Sequence, residues 1–216
     1  MLALHPDAQN RARAEIAAAV EAAGGGADAV LDLKALRSLR YLDRVLREVL
    51  RLFPPAIIGR TALGDDVLGD SGIFIPKGTE VFINIYALQR DEGLWGPDAE
   101  AFDPNRFDPK RAKADAAKAD DGGDGVRQRK PSKQKTKKKK RHPWSYMPFN
   151  LGPRKCIGAQ TAMVELRVLL VAVLRNFRVA LPADAPEDTK WTTGGAKLIP
   201  NLTLSPGGAR VLLHPL

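Results

Sequence analysis

The residue with the clearest capacity for chemistry is Cys156, the single cysteine of a 216-residue chain. It stands in the run Phe-Asn-Leu-Gly-Pro-Arg-Lys-Cys-Ile-Gly at residues 149–158. A predicted helix starts directly after it, and the N–H groups and dipole of a helix N-terminus favour a negatively charged sulfur. Cys156 is therefore a candidate thiolate ligand for a metal, to be weighed against an inert cysteine packed at a loop–helix junction.

Five positions of this run share their residue types and offsets with a known motif: Phe149, Gly152, Arg154, Cys156 and Gly158. The pattern resembles the haem-thiolate signature of the cytochrome P450 family, which strongly favours a ligand over an inert cysteine. The resemblance implies that Cys156 is the metal ligand and catalytic thiolate, bound to the iron of haem b. It also implies that Phe149 forms an apolar wall and that Arg154 pairs with a haem propionate. The two glycines would permit a tight loop and a close approach of backbone to porphyrin.

A second candidate cluster lies upstream of the cysteine. Glu48 and Arg51 are three residues apart on a predicted helix, so they share a face. The pair precedes Leu-Phe-Pro-Pro, and Pro-Asn-Arg-Phe follows at residues 104–107. These segments resemble elements of the same family, which implies a buried structural ion cluster of Glu48, Arg51 and Arg106, because buried charges persist only when paired. Asn105 stands where the family has Glu, outside the three cluster members.

The resemblance also suggests residues at the haem edge and in the substrate pocket. Arg60 resembles the family's propionate-binding Arg, with a spacing one residue shorter. Ala56, Ile57 and Ile58 lie where the family lines its pocket, and their apolar character suits a small apolar substrate. Gly194, within residues 193–197, is expected in a second pocket wall. For both stretches, ordinary strand packing is an equally good interpretation.

The elements that position these residues follow from the sequence pattern. Pro6 and the glycines at 24–26 bound a predicted helix over 6–23. Apolar residues at steps of three and four predict a second helix over 36–53, which ends before Pro54 and Pro55. Branched residues predict strands over 57–63, 73–75 and 81–85. An apolar helix over 157–177 and tail strands over 202–204 and 210–213 complete the prediction.

This mixture predicts a mainly α fold with small β-sheets (α+β), as in the C-terminal haem-binding half of the cytochrome P450 fold. We divide the chain into a helical and small-sheet region (1–109), a basic insert (110–142) and the haem-binding loop, helix and final strands (143–216). Together, the outer two regions form one incomplete domain.

The net charge of +9 is concentrated in the insert. Residues 110–142 carry fourteen Lys and Arg against four Asp, which exceeds the net charge of the whole chain. With almost no large apolar side chains, the insert is predicted to be disordered. Its basic run at 137–141 lacks interleaved aromatic residues, so we favour a solvated insertion and do not expect nucleic-acid binding.

The resemblance covers nearly the whole chain but only about half of the family's usual length. The missing N-terminal half of the fold, with its membrane anchor and oxygen-activating helix, is expected to be a partner. The Ala/Gly-Gly-x-Asp/Glu-Thr motif of proton delivery is absent from the sequence. We therefore expect this chain alone to be inactive. Localisation is not set by the sequence, although a full-length protein is expected to be membrane-associated, in the endoplasmic reticulum or a plastid.

The resemblance implies a haem-dependent monooxygenase that inserts one atom of O2 into a C–H bond of a lipid- or isoprenoid-like substrate. An electron-donor reductase or ferredoxin would be the redox partner, and Lys155 lies where it could dock. Two alternatives stay open. One is a haem-thiolate isomerase or lyase on the same fold. The other is a non-catalytic truncated fragment that uses its basic segment for interactions.

Overall fold

The computed structural model describes residues 1–26, 28–111, 143–183, 198–200, 204–206 and 211–216. Residues 112–142 of the predicted insert lie outside the described part, and so does Gly194 with the rest of residues 193–197. The disorder of the insert and the three-part division of the chain stay predictions.

The main helices are α1 Pro6–Ala22, α2 Leu33–Ser38, α3 Arg40–Leu52, α4 Ile85–Leu88, α5 Glu92–Trp95 and α6 Ala159–Asn176. Several begin at local caps, in which a side-chain oxygen accepts an otherwise unpaired backbone N–H. Asp32 accepts from Ala35 N at 2.7 Å at the start of α2, and Asn84 accepts from Ala87 N at 3.0 Å at the start of α4. No helix within the described ranges is long and apolar enough to cross a lipid bilayer.

The helix predicted over 36–53 is in fact two helices, α2 and α3, separated at Leu39. Leu39 has a ψ of 81°, outside the helical region, and its side chain is buried. The carboxylate of Glu15 on α1 accepts the N–H of Tyr41 at 2.8 Å and that of Leu42 at 2.9 Å. This cap comes from another helix, so the local pattern of apolar residues could not reveal the break. The helix predicted over 157–177 starts two residues later, at Ala159.

The main core lies where α1, α3 and α6 meet. Its most deeply buried residues, each at most 1% exposed, are Ala12, Ile16, Leu39, Leu42, Val45 and Leu174. Burial of each large apolar side chain contributes roughly 1.5–3 kcal/mol. The core thus joins α3, which carries Glu48 and Arg51, to α6, which follows the cysteine run.

Within the described residues, each β-sheet is a two-stranded antiparallel pair. Strands β1 Ile58–Thr61 and β4 Glu80–Ile83 form one pair, and β2 Asp66–Leu68 and β3 Ile73–Ile75 form another. Strands β5 Phe177–Ala180 and β8 Leu212–Pro215 pair near the end of the chain, as do β6 Leu198–Pro200 and β7 Leu204–Pro206. Of the three predicted upstream strands, the one over 73–75 has its predicted bounds, β1 is shorter than predicted, and β4 begins one residue and ends two residues earlier. The two predicted tail strands begin two residues later, as β7 and β8, whereas β2, β5 and β6 were not predicted. The α+β fold class is confirmed.

A buried glutamine joins α1 to the β5–β8 pair. Gln9 is 2% exposed. Its amide nitrogen donates to the carbonyls of Leu2, at 3.0 Å, and Val179, at 2.8 Å. Its amide oxygen accepts the Val179 N–H at 2.8 Å. Gln9 thus satisfies a backbone donor and acceptor of β5 as a neighbouring strand would.

Candidate functional site

Glu48 and Arg51 form a fully buried ion pair on α3, both side chains being 0% exposed. Arg51 Nε lies 2.8 Å from Glu48 Oε2, and Arg51 Nη2 lies 2.8 Å from Glu48 Oε1. This two-bond geometry is the strongest arrangement for an arginine and a carboxylate. A charge pair this deep is tolerated only when its remaining hydrogen-bonding capacity is also satisfied.

Backbone carbonyls satisfy the rest of Arg51. Its Nη1 donates to Gln89 O at 2.8 Å and Ala99 O at 2.5 Å, and its Nη2 donates to Ala101 O at 3.1 Å. With the two bonds to Glu48, every one of the five guanidinium N–H groups has an acceptor. Arg51 therefore ties α3 to the irregular chain after α4 and α5, a task that a lysine with three donors could not fulfil.

Arg106 closes the cluster from the 3-10 turn Pro104–Phe107. Its Nε lies 3.4 Å from Glu48 Oε1, and its Nη2 donates to Asp98 O at 2.7 Å. The hydrogen bond from Arg106 is the main cause that lowers the pKa of the Asp98 carboxyl. Glu48 Oε1 also accepts the N–H of Asp103 at 3.0 Å. The structure thus brings Glu48, Arg51 and Arg106 together, as the resemblance implies.

An aromatic cluster that was not predicted as a unit packs beside these charges. The rings of Trp95, Phe107 and Tyr146 contact one another, with Phe107 and Tyr146 centroids 5.0 Å apart. The Arg51 guanidinium lies 5.0 Å from the Trp95 ring, within cation–π range. Burial strongly raises the pKa of the Tyr146 hydroxyl, which donates to Arg47 O at 3.3 Å.

The cysteine run is a loop fixed by its own hydrogen bonds. Cys156 N donates to Phe149 O at 2.9 Å, which closes the loop, and Lys155 N donates to Gly152 O at 3.1 Å. The side chain of Asn150 donates to Arg154 O at 2.9 Å. Asn150 and Gly152 have positive φ values of 61° and 71°. Gly152 is thus required by the backbone, and asparagine is the non-glycine residue that best tolerates such a φ.

Gly158 differs from Gly152. Neither the backbone conformation of Gly158 nor steric contact with a neighbouring residue requires a glycine at this position. Its φ is −82°, a value open to any residue. Among the described residues, an added Cβ would meet only Cys156 Sγ, at an ordinary contact distance of 3.9 Å. Gly158 leaves open space beside the sulfur, into which a planar group could approach closely.

The residues around Cys156 fit a thiolate-bound, apolar planar cofactor. The Cys156 side chain is a free thiol and is exposed. Ile157 is fully exposed (102%), an unfavourable state for a large apolar residue in water that a porphyrin face would relieve. Arg154 is exposed beside them, which leaves its guanidinium available to a carboxylate. The Cys156 sulfur could serve as one ligand to a metal ion, and the open space beside Gly158 could accommodate a planar cofactor.

The other predicted site residues are placed as follows. Arg60 is exposed on β1 and donates to Gly59 O at 2.7 Å. Ala56 and Ile57 are exposed, whereas Ile58 is 5% exposed and packs with Ile85 and Met147. Ile58 therefore faces the protein interior. Phe149 is half-buried.

A groove of about 370 Å³ runs beside the cysteine loop. Phe149 and Lys155 of the loop line this groove together with residues of α6. Four cations line this groove: Arg37, Arg47, Lys155 and Arg167. Asp43 pairs with both Arg47 and Arg167, so the groove keeps an excess of positive charge. We call this surface the basic groove.

Gln89 is a buried polar residue to which no sequence motif pointed. It is 0% exposed and bonds both to α3 and to Met147, just upstream of the cysteine run. Its partners are 38 to 58 residues away along the chain, so no local pattern marks it.

Comparison with known proteins identifies the family. The family model described as Cytochrome P450 matches residues 1–205. A protein of Oryza sativa subsp. japonica named Cytochrome P450 734A5 is 40% identical over 181 residues, which cover 83% of this chain and 28% of that protein. Cytochrome P450 52-M1 of Starmerella bombicola is 33% identical, over 89% of this chain and 32% of its own length. The chain therefore belongs to the cytochrome P450 family. It spans about a third of the length of these relatives, less than the half expected from the sequence.

Replacement of Glu48 by alanine should lower the free energy of unfolding by about 3–5 kcal/mol, because it leaves Arg51 and Arg106 buried without their carboxylate. Urea unfolding followed by circular dichroism measures this loss. Glu100→Ala is the matched control, since Glu100 pairs with Arg90 but its side chain is 44% exposed. The control should lose less than about 1 kcal/mol. Equal losses in the two variants would contradict a central role for the buried cluster.

Proposed function

We propose that this protein is the haem-binding part of a haem-dependent monooxygenase, with Cys156 as the iron ligand. The observation that carries the proposal is the exposed, free thiol of Cys156 on a self-bonded loop next to Gly158 and Ile157. When bound, a thiolate-ligated haem supplies the capacity to activate O2 and insert one oxygen atom into a C–H bond. Membership of the cytochrome P450 family supports this chemistry.

The protein's own residues hold and surround the sulfur in this proposal. The bond from Cys156 N to Phe149 O and the bonds of Asn150 keep the loop in one conformation, so the thiolate needs no rearrangement before it coordinates. Ile157 contributes an apolar surface that excludes water. Arg154 and Arg60 are exposed, and we assign them to the haem propionates.

The substrate that fits this assignment is small and apolar, of the lipid or isoprenoid class. Its support is the exposed apolar pair Ala56 and Ile57 at the start of β1, in the segment that the family uses for its pocket. Gly194 stays a proposed member of the second wall. Because Ile58 is buried against Ile85 and Met147, we assign it to support of this wall rather than to substrate contact. Membrane association of the full-length protein is likewise a proposal.

Cys156→Ser should abolish thiolate ligation without unfolding the chain, because the side chain is exposed and serine is close to cysteine in size. The measurement is the absorption spectrum of the reduced, carbon-monoxide-bound protein after loading with haem. The long-wavelength Soret band of the thiolate complex should be present in the native protein and lost in the variant. Persistence of that band in a folded Cys156→Ser protein would refute the ligand assignment.

Residues 1–216 alone should not turn over substrate. They cover about a third of the length of their relatives and contain no Ala/Gly-Gly-x-Asp/Glu-Thr motif for proton delivery. The check is product formation by the haem-loaded chain with reductase and an apolar substrate such as a fatty acid. The same assay with the remainder of the fold supplied as a separate polypeptide is the control. Turnover by the isolated chain at the rate of a complete enzyme would overturn this expectation.

The basic groove is the surface that we assign to the electron donor, a reductase or ferredoxin. Its excess positive charge lies beside the cysteine loop, and complementary charge guides association between redox proteins.

Lys155→Glu should weaken binding of an acidic ferredoxin about tenfold at low salt, and the difference should shrink at high salt because salt screens exposed charges. Surface plasmon resonance at two salt concentrations measures both effects. Lys77→Glu is a charge-matched control, since Lys77 is exposed and does not line the groove. An equal loss of binding in the Lys77 variant would indicate that only total charge matters.

A further inference from the structure

Gln89 is a fully buried polar residue that follows α4, and the proposed function gives it no task. Its amide nitrogen donates to the carbonyls of Leu50, at 3.0 Å, and Arg51, at 2.9 Å. Its amide oxygen accepts the N–H of Met147 at 2.9 Å. One side chain thus connects the end of α3 to the segment that leads into the cysteine loop.

The position requires both a donor and an acceptor. Leu50 and Arg51 lie in the last turn of α3, where carbonyls have no partner within the helix. Met147 N is a buried donor in an irregular segment. An uncharged amide satisfies both sets of groups, which a carboxylate or an ammonium cannot do. Gln89 is itself held in place, because its own carbonyl accepts from Arg51 Nη1 at 2.8 Å.

A short series of bonds links Met147 to Cys156. Met147 is 3% exposed and packs against Ile58 and Ile85. Its carbonyl accepts the N–H of Asn150 at 3.0 Å. Phe149 directly precedes Asn150, and its carbonyl accepts the N–H of Cys156 at 2.9 Å. The loop is therefore a self-bonded unit, and Met147 is the point at which Gln89 fixes it to the body of the protein.

We propose that Gln89 is a positioning residue for the haem ligand: by bonding Met147 to the end of α3, it sets where the Cys156 thiol stands. This inference rests on the proposed function, in which Cys156 coordinates haem iron. Gln89 acts on Cys156 through the backbone of the loop. A change at Gln89 should therefore alter the position of the thiol, in addition to any change in the stability of the whole chain.

Gln9 provides the matched control for that distinction. It is also a buried glutamine with three hydrogen bonds of the same kind, two donated to carbonyls and one accepted from an N–H. Its partners are Leu2 and Val179, away from the cysteine run. If buried glutamines served only stability here, Gln9→Leu and Gln89→Leu would have equivalent consequences.

The first experiment needs no cofactor. Amide hydrogen exchange of the full 216-residue chain should show Met147 and Cys156 exchanging about tenfold faster in Gln89→Leu than in the native chain, since Met147 loses its acceptor. Gln9→Leu should leave both amides unchanged relative to the rest of the chain. Unchanged exchange of Met147 and Cys156 in folded Gln89→Leu would overturn the proposal.

The second experiment adds iron protoporphyrin IX to the same proteins. Gln89→Leu should bind it about tenfold more weakly and show less of the long-wavelength carbon-monoxide band, whereas Gln9→Leu should match the native chain. Gln89→His should restore both, because a neutral imidazole offers one donor and one acceptor. A native chain that binds haem without the thiolate band would refute the proposed function, while the exchange data would still decide the role of Gln89.

Gln89→His also decides the matter if Gln89→Leu does not fold. The proposal requires the Met147 amide and the thiolate band to respond together. Protection of Met147 together with a native band in this variant supports it. Loss of either one, or of both, in folded Gln89→His overturns it.

Discussion

The burial of one carboxylate, that of Glu48, is the constraint on which this structure depends. A charge with no exposure carries a large desolvation cost, and Arg51 and Arg106 offset it only because their own donors are also satisfied. The carbonyls that satisfy Arg51 come from residues 89, 99 and 101, far from α3 in sequence. The ion cluster therefore organises the irregular chain between α4 and the turn of Arg106, where regular hydrogen-bonding patterns are scarce.

This organisation extends from the cluster toward the cysteine. Arg51 fixes the backbone of Gln89, the side chain of Gln89 fixes Met147, and Met147 precedes the self-bonded loop of Cys156. Such fully bonded polar networks are rigid, because any displacement leaves a buried group without its partner. The core of α1, α3 and α6 holds the network from the other side, since α6 begins three residues after the cysteine. The Cys156 thiol on its exposed loop is thereby given a defined position.

The sequence indicated these parts to different degrees, and the differences have physical reasons. The cysteine loop and the pair Glu48 and Arg51 could be predicted from the sequence. The residues of the loop are contiguous, and the two charged residues are spaced so that they share one face of a helix. The division of α2 from α3 was not, since the cap that begins α3 comes from Glu15 on another helix. Strand β5 was missed because its partner β8 lies more than thirty residues further along the chain. Gln89 was missed because its role is set entirely by distant backbone groups.

The two glycines of the loop differ in whether the protein itself requires a glycine at that position. Gly152 has a φ of 71°, so the fold of the loop alone accounts for it. Gly158 has an ordinary φ and only the cysteine sulfur within contact of an added Cβ, so the described protein atoms do not account for it. A small residue that the protein does not itself need beside an exposed thiol is what a close-fitting planar cofactor would require. The open space at Gly158 thus supports the proposed haem assignment, and it does so at a position that also belongs to the sequence motif.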